Sequence, residues 1–271
     1  MYQRIGEAAY RPGLDAMKGL DVRLNHPHKK FESIHVGGTN GKGSSAHMLA
    51  SVFQRGEGYV ILLDKRLVKT PAKASLAVPT QAMAAVIAAE WEAQSEKIDP
   101  LTMPTTRSAN AALDKVTPQR HEVAKLIAAY GENDLLCYRA PAPEELVARQ
   151  KEAWDPLLAW AAEVLDAPLR TAEGVMHVAQ PANAVANLTA RVMAQSPFQL
   201  AALHDLVSMS GSLVIGLAAQ AEAFAIDYLW ICSRLDELWQ IEQWGQDDEA
   251  DATANLKHLA FLHAHRFHKM S

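Results

Sequence analysis

The chain has 271 residues, 49% of them hydrophobic, and a formal net charge of −5; the apolar share is ample for a buried core and excludes global disorder. Its two cysteines, Cys137 and Cys232, lie far apart and form neither a CxxC pair nor a zinc spacing, which fits a reducing cytoplasm. The N-terminus shows no basic-then-apolar signal pattern, and the most apolar stretch, Leu213 to Cys232, is interrupted by Glu222 and Asp227, so it reads as a buried soluble helix rather than a membrane span.

Charge is unevenly spread. Through Arg55 there are eight Lys/Arg and four Asp/Glu; the rest of the chain carries eighteen against twenty-seven. Such asymmetry points to different partners or origins for the two segments. The acidic remainder argues against nucleic-acid binding, which needs a basic face.

In chain order, a helix is expected around Leu14 to Leu24, a loop at Asn25 to Lys30, a strand at Ser33 to Val36, a glycine-rich turn, and a helix from about Lys42 to Phe53. The style changes at Arg55 to Gly58. Tyr59 to Leu63 is a β-prone run that Asp64-Lys65-Arg66 turns back into Leu67 to Lys69, with Pro71 ending that strand. From Thr80 the pattern is helical, Thr80 serving as N-cap for a helix to about Ser95. Thr117-Pro118 marks another start and Gly131 a stop. Pro143 opens a helix with Glu144 and Glu145 in its first turn, where the dipole favours acids. Further helices fit about Pro181–Gln195, Pro197–Met209, Ser212–Trp244 (whole or broken) and Asp248–His268.

The sharpest local motif is IHVGGTNGKGSS, Ile34 to Ser45. Gly37, Gly38, Gly41 and Gly43 let the backbone turn tightly and aim N–H groups at phosphate oxygens; Lys42 adds a point charge and Ser44 a hydroxyl for magnesium. Gly43 separates Lys42 from Ser44, so the pattern departs from the standard GxxxxGK[ST]. On the residues alone, nucleotide binding and a glycine-rich structural turn both stand. The stretches MYQRIGEAAYRPGLDAMKGLD and LNHPHKKFESIHVGGTNGKGSSAHMLASVF resemble the start of folylpolyglutamate/dihydrofolate synthase, a Mur-ligase-type enzyme, over about residues 1–54. The resemblance implies that Gly41, Lys42, Gly43 and Ser44 form a loop for Mg-ATP. Such a loop is normally carried by a parallel sheet with helices on both faces, and this segment is too short to bury a core alone. Tyr59 to Asp64 is similar to a Walker B strand, but LVKTP follows too soon for a βα series, which favours a hairpin with Asp64 at its turn.

From about Gly58 onward the chain resembles the assembly chaperone of the ATP synthase catalytic head. The resemblance rests on GYVILLDKRLVKTPAKASLAVPT, AAEWEAQ, DPLTMPTTRSANAALDKV, ENDLLCYRAPAPEELVARQKEAWDPLLAW, SGSLVIGLA and LDELWQIEQWGQDDEA. It implies a small β-rich domain, a larger helical domain, no enzymatic activity, and a client, the unassembled α subunit, held until its β partner arrives. The family normally has one more strand before GYVILL. Here the synthase-like segment occupies that place, with a seam at about Gln54 to Gly58. A lost strand would leave a sheet edge open, unless Ser33 to Val36 pairs there.

Glu237, Glu242, Asp247, Asp248 and Glu249, beside Trp239 and Trp244, suit an acidic helix end with aromatic anchors that meets a basic, apolar client patch. They equally suit a solvated helix junction with Gly245 as the stop and Asp247 or Asp248 as the next N-cap. Arg107, Asn110 and Asp114 share one helical face; they either contact a client or tie two domains together through buried hydrogen bonds. Gly211, Ser212 and Gly216 allow close helix packing, and the GxSxG elbow of a serine nucleophile is absent. Of His258, His263, His265 and His268, only the last two have good helical spacing for a metal and no carboxylate joins them, so a surface helix is expected. Trp91, Trp154, Trp160 and Tyr228 fall in apolar helical patterns and read as core.

These readings give an α+β chain: a small β-rich domain followed by a larger all-helical domain, preceded by a strand–phosphate-loop–helix fragment, with boundaries at 1–55, 56–116 and 117–271. The expected function is a non-enzymatic assembly chaperone for the α subunit of the proton-translocating ATP synthase. No catalytic residue, metal or required cofactor is expected, ATP and magnesium being confined to Gly41, Lys42, Gly43 and Ser44. Client contacts are assigned to Glu237, Trp239, Glu242, Trp244, Asp248, Glu249, Arg107 and Asn110. Neither nucleic acid nor membrane insertion is expected. The setting is the bacterial cytoplasm, or the mitochondrial matrix for the eukaryotic members it resembles. The alternatives are a truncated synthase-like ligase and a hybrid whose nucleotide-binding extension regulates client release.

Overall fold

A computed structural model describes residues 50–95 and 97–271. The helix expected at Leu14–Leu24, the strand at Ser33–Val36 and the phosphate loop lie outside the described residues. The described chain opens on an antiparallel sheet. Ala50–Arg55 (β1) pairs along its whole length with Gly58–Leu63 (β2), Ala50 opposite Leu63 and Arg55 opposite Gly58. Asp64 and Lys65 follow at φ 48° and 68°, the positive values of a two-residue hairpin turn whose twist matches its strands. Arg66–Leu67 (β3) then pairs with one end of β2, and Ala77–Val78 (β4) with the other. Asp64 is thus a hairpin-turn residue, as the simpler reading has it.

Residues 50–53, expected to end a helix, instead form part of β1, and the strand expected to be missing before GYVILL is present as ASVFQR. The physical cause is period-two burial. Ala50 and Val52 face the core at 4% and 7% exposure while Phe53 faces out. The place proposed for Ser33 to Val36 against β2 is therefore taken by β1.

Gln81–Glu92 (α1) backs the sheet with Met83, Ala84, Ile87 and Ala88; Thr80 caps it, accepting from Met83 N–H at 3.2 Å. Pro104–Ala111 (α2) runs on through a π turn at Ala112–Val116 and a tight turn at Thr117–Gln119 into Arg120–Ala128 (α3). Thr117-Pro118 is therefore not a helix start. The wide turn ahead of Pro118 makes room for a ring that would otherwise meet a carbonyl one turn back, and the Thr117 hydroxyl donates to Ala112 O at 2.8 Å. Gly131 closes this run where a Cβ would sit 3.2 Å from Leu188 Cδ1.

Tyr138–Arg139 (β5) and Ala172–Glu173 (β6), on either side of Glu144–Val164 (α4), make a short parallel pair that the sequence pattern does not foretell. Ala182–Met193 (α5), Pro197–Ser210 (α6), Leu213–Gln220 (α7), Ile226–Ser233 (α8), Leu235–Trp244 (α9) and Asp248–Lys269 (α10) complete the fold. The apolar stretch Leu213 to Cys232 forms two helices, the broken alternative of the Ser212–Trp244 expectation. The chain breaks after Gln220, where Glu222 takes a positive φ of 51° and pairs with Lys269 at 3.0 Å. Helix α6 is the centre of the body, buried through Phe198, Leu200, Leu203, Leu206 and Val207, with α7 and the second half of α10 packed on it. That half buries Phe261, Ala264 and Phe267, so α10 is not a surface helix along its length. One hydrophobic core runs from Ile61 and Leu76 of the sheet to Phe267. Trp154 is core as expected, its indole N–H donating to Cys232 O at 2.9 Å. No helix among the described residues is long and apolar enough to cross a membrane.

Candidate protein-binding surface

Helix α9 buries none of its residues. Polar contacts tie it to α4: Gln150 Nε2 donates to Asp236 Oδ1 at 2.7 Å, and Arg149 Nη1 donates to both Glu242 oxygens at 2.7 and 2.8 Å. The same guanidinium lies 4.8 Å from the Trp239 ring centroid, a cation–π contact. Gly245 ends α9 at φ 93°, and Asp247 caps α10 by accepting from Ala250 N–H at 2.8 Å. Asp248, Glu249 and Asp251 then crowd the first turn of α10, where the helix dipole favours acids. A groove of about 360 Å³, bordered by Arg234, Asp247, Ala250, Thr253 and Lys257, runs between the two helices. Large apolar side chains lie open on this arm: Trp244 at 79% exposure, Leu256 at 70% and Leu259 at 61%.

The acidic and aromatic residues singled out from sequence are thus brought together, in two roles. Trp244, Asp248 and Glu249 face solvent. Trp239 and Glu242 are engaged by Arg149, and Glu237 lies 3.5 Å from Arg234. The junction has the stop and cap of a solvated turn, and it also presents apolar surface. Arg107 and Asn110 are placed elsewhere. They flank Ser108, whose Oγ is 3.1 Å from His263 Nε2, fifteen residues and about 22 Å along α10 from Asp248. Arg107 is exposed, and Asn110 Oδ1 is buried without a partner. Asp114 takes the tethering role, accepting from Thr70 Oγ1 at 2.6 Å and Ala72 N–H at 3.0 Å and so joining the sheet to the helices.

Two acids that the sequence reading missed hold the scaffold. Glu90 reaches from α1 to the start of α2, accepting from Thr105 N–H at 2.7 Å and from Thr106 N–H and Oγ1 at 2.8 and 2.7 Å. Met103, at the N-cap of α2, supplies no side-chain bond, and that vacancy was the readable signal. Asp134 is fully buried and accepts from Leu136 and Val214 N–H at 3.1 and 3.0 Å, pinning a loop to the first turn of α7. Burial pushes its carboxyl above the usual range, and the bonds from Val214, Ser212, Leu136 and Leu213 oppose that shift. Burial, with Asp134 close by, pushes the Cys137 thiol up to about 12, leaving it unreactive. Among the described residues no three His, Cys, Asp or Glu side chains are grouped to hold a metal ion. The C-terminal histidines have separate partners: His258 with Asp227 and Trp230, His263 with Ser108, His268 with Gln220.

A small sheet fused through one core to a helical body, with an exposed acidic and aromatic helical arm, defines a scaffold built to present surface. The family model described as ATP12 chaperone protein matches residues 45–162, beginning ahead of the seam expected at Gln54 to Gly58. The crystal structure of Atp12 from Paracoccus denitrificans is 46% identical with a TM-score of 0.80, covering 82% of this chain and 95% of that one. A protein from Agrobacterium tumefaciens is 38% identical with a TM-score of 0.78, covering 82% of this chain and 83% of its own. The chain belongs to the ATP12 chaperone family. In addition, a 51-residue stretch is 49% identical to dihydrofolate synthase/folylpolyglutamate synthase of Bacillus subtilis (strain 168). That match covers 19% of this chain, which spans 12% of the length of that curated relative.

Proposed function

We propose that the protein is an assembly chaperone that binds the unassembled α subunit of the proton-translocating ATP synthase catalytic head and keeps it from aggregating. The observation that carries this reading is the 46% identity over nearly the whole of the Paracoccus Atp12. The α9–α10 arm supports it. A stand-in for a missing subunit must cover apolar area, satisfy charge and still be displaced. The exposed Arg149–Glu242 pair that helps hold the arm is worth little, which suits the last need. In this reading Trp244, Asp248 and Glu249 touch the client, Glu237 adds charge beside them, and Trp239 and Glu242 fix the arm through Arg149. Arg107 is a separate client contact, and Asn110 belongs to the interior. The test dilutes chemically unfolded α subunit into buffer with the full-length chain and follows light scattering. Suppression by the wild type, weakened several-fold in Trp244→Ala with Asp248→Lys and Glu249→Lys, is expected; no suppression by the wild type would sink the reading.

The 51-residue match favours a second, compatible reading of the N-terminal segment. Gly41, Lys42, Gly43 and Ser44 hold the phosphates of Mg-ATP, and chaperoning does not require it. Calorimetry with Mg-ATP should give heat in the wild type and none in Lys42→Ala; equal heat in both removes the loop from the account.

A further inference from the structure

The sheet presents a charge opposite to that of the α9–α10 arm. Lys65, Arg66, Lys69 and Lys73 crowd the β2–β3 hairpin and the loop after it. All four are exposed, and none forms an ion pair among the described residues. Exposed lysines alone would mean nothing. Two of them, Arg66 and Lys69, line a groove of about 610 Å³ together with Leu63, Leu67, Val68 and Trp91, with Asp64 the acid of the lining. That volume is in the range of ligand clefts. The groove therefore combines apolar walls with two cations.

We propose that this groove is a second docking site, taking a segment of a partner protein that carries one apolar side chain between carboxylates. The apolar side chain packs against Leu63, Leu67 and the Trp91 ring. The carboxylates pair with Arg66, whose planar fork suits two oxygens, and with Lys69. A free inorganic anion would leave the apolar walls unused, which is why a peptide fits better. The inference stands apart from the client assigned above, because it rests on a different face of opposite charge.

The test is fluorescence polarisation on the full-length chain with a dye-labelled, capped peptide bearing one phenylalanine between two pairs of glutamates. Control peptides carry lysine for glutamate or alanine for phenylalanine. The glutamate peptide should bind the wild type, more weakly as salt rises. Its affinity should fall at least tenfold in the Arg66→Glu, Lys69→Glu variant and several-fold in Trp91→Phe, and should be unchanged in Trp244→Ala. Thermal melts check each variant, and the milder Arg66→Gln, Lys69→Gln pair serves where charge reversal lowers stability. Undiminished binding to a folded charge variant overturns the proposal, as does no binding to the wild type. So does equal binding of the alanine peptide, or displacement by inorganic phosphate at matched ionic strength, since either would leave only a general anion patch.

Discussion

Replacing Glu90 with alanine should be among the most damaging single changes in the chain, although Glu90 is one acid among many in the sequence. Its carboxylate accepts three bonds of 2.7–2.8 Å from Thr105 and Thr106, the short distances of charge-assisted bonding. Both threonines are buried, at 3% and 4% exposure, so water replaces the lost acceptor poorly. Losing an N-cap costs about 0.5–2 kcal/mol, and each buried donor left unmet costs about 1–3 kcal/mol. Since these overlap, Glu90→Ala should cost about 3–5 kcal/mol, a large part of a typical domain's stability. Glu90→Gln keeps an acceptor but loses the charge at the positive end of α2, and should cost about 1–2 kcal/mol. Urea unfolding followed by far-ultraviolet circular dichroism measures both, as a lower midpoint at unchanged slope. An alanine variant within about 1 kcal/mol of wild type would refute the reasoning. So would a glutamine variant as unstable as the alanine one, because the retained neutral acceptor would then contribute nothing.

Gly216→Ala should lower stability by about 1–3 kcal/mol, because an added Cβ would lie 2.6 Å from Val207 Cγ2 and 3.0 Å from Leu203 Cδ1; an unchanged melting temperature would show that α6 and α7 can part freely. Burial holds His263, His265 and His268 below the ordinary histidine range. Their stabilisation is complete above the unfolded value near 6.5 and is lost as pH falls through the lower folded values. The melting temperature should therefore drop between pH 7.5 and 5.5, less steeply in a His263→Asn, His268→Asn variant; parallel pH profiles for the two proteins would disprove the linkage. A chain starting at Ser45 keeps β1, and one starting at Gly58 lacks it. The second should aggregate at concentrations where the first stays monomeric in sedimentation; identical behaviour would show that β1 does not protect β2.

Much of the fold is legible because its signals are local. The turn at Asp64 and Lys65, the cap at Thr80, the acids behind Pro143, the stop at Gly245 and the cap at Asp247 all depend on residues within one turn of each other. The elements that escape the sequence have distant partners. Glu90 caps a helix in another element, Asp134 meets Val214 across 80 residues, and β5 pairs with β6 on the far side of α4. The arm divides the same way. Its acids and tryptophans stand out in the sequence, but Arg149, 93 residues from Glu242, decides which of them are free to meet a partner. A wide turn at Ala112–Val116 is likewise invisible to a pattern that expects proline to begin a helix.

The first described strand shows how strongly context can override a local resemblance. Read in isolation, the residues up to Phe53 continue a helix after a phosphate loop. In a helix, residues two apart point to nearly opposite sides, so Ala50 and Val52 could not both face one core. In the fold they do, because β2 offers six partners in register from Leu63 back to Gly58. Tyr59, Val60 and Ile61 are strong strand formers, and their other edge is already shared between β3 and β4. Without β1, the remaining edge of β2 would present unpaired backbone groups. Residues from Ala50 onward are thus committed to the sheet of the chaperone fold. A seam at Gln54 to Gly58 would cut through the hairpin that completes it.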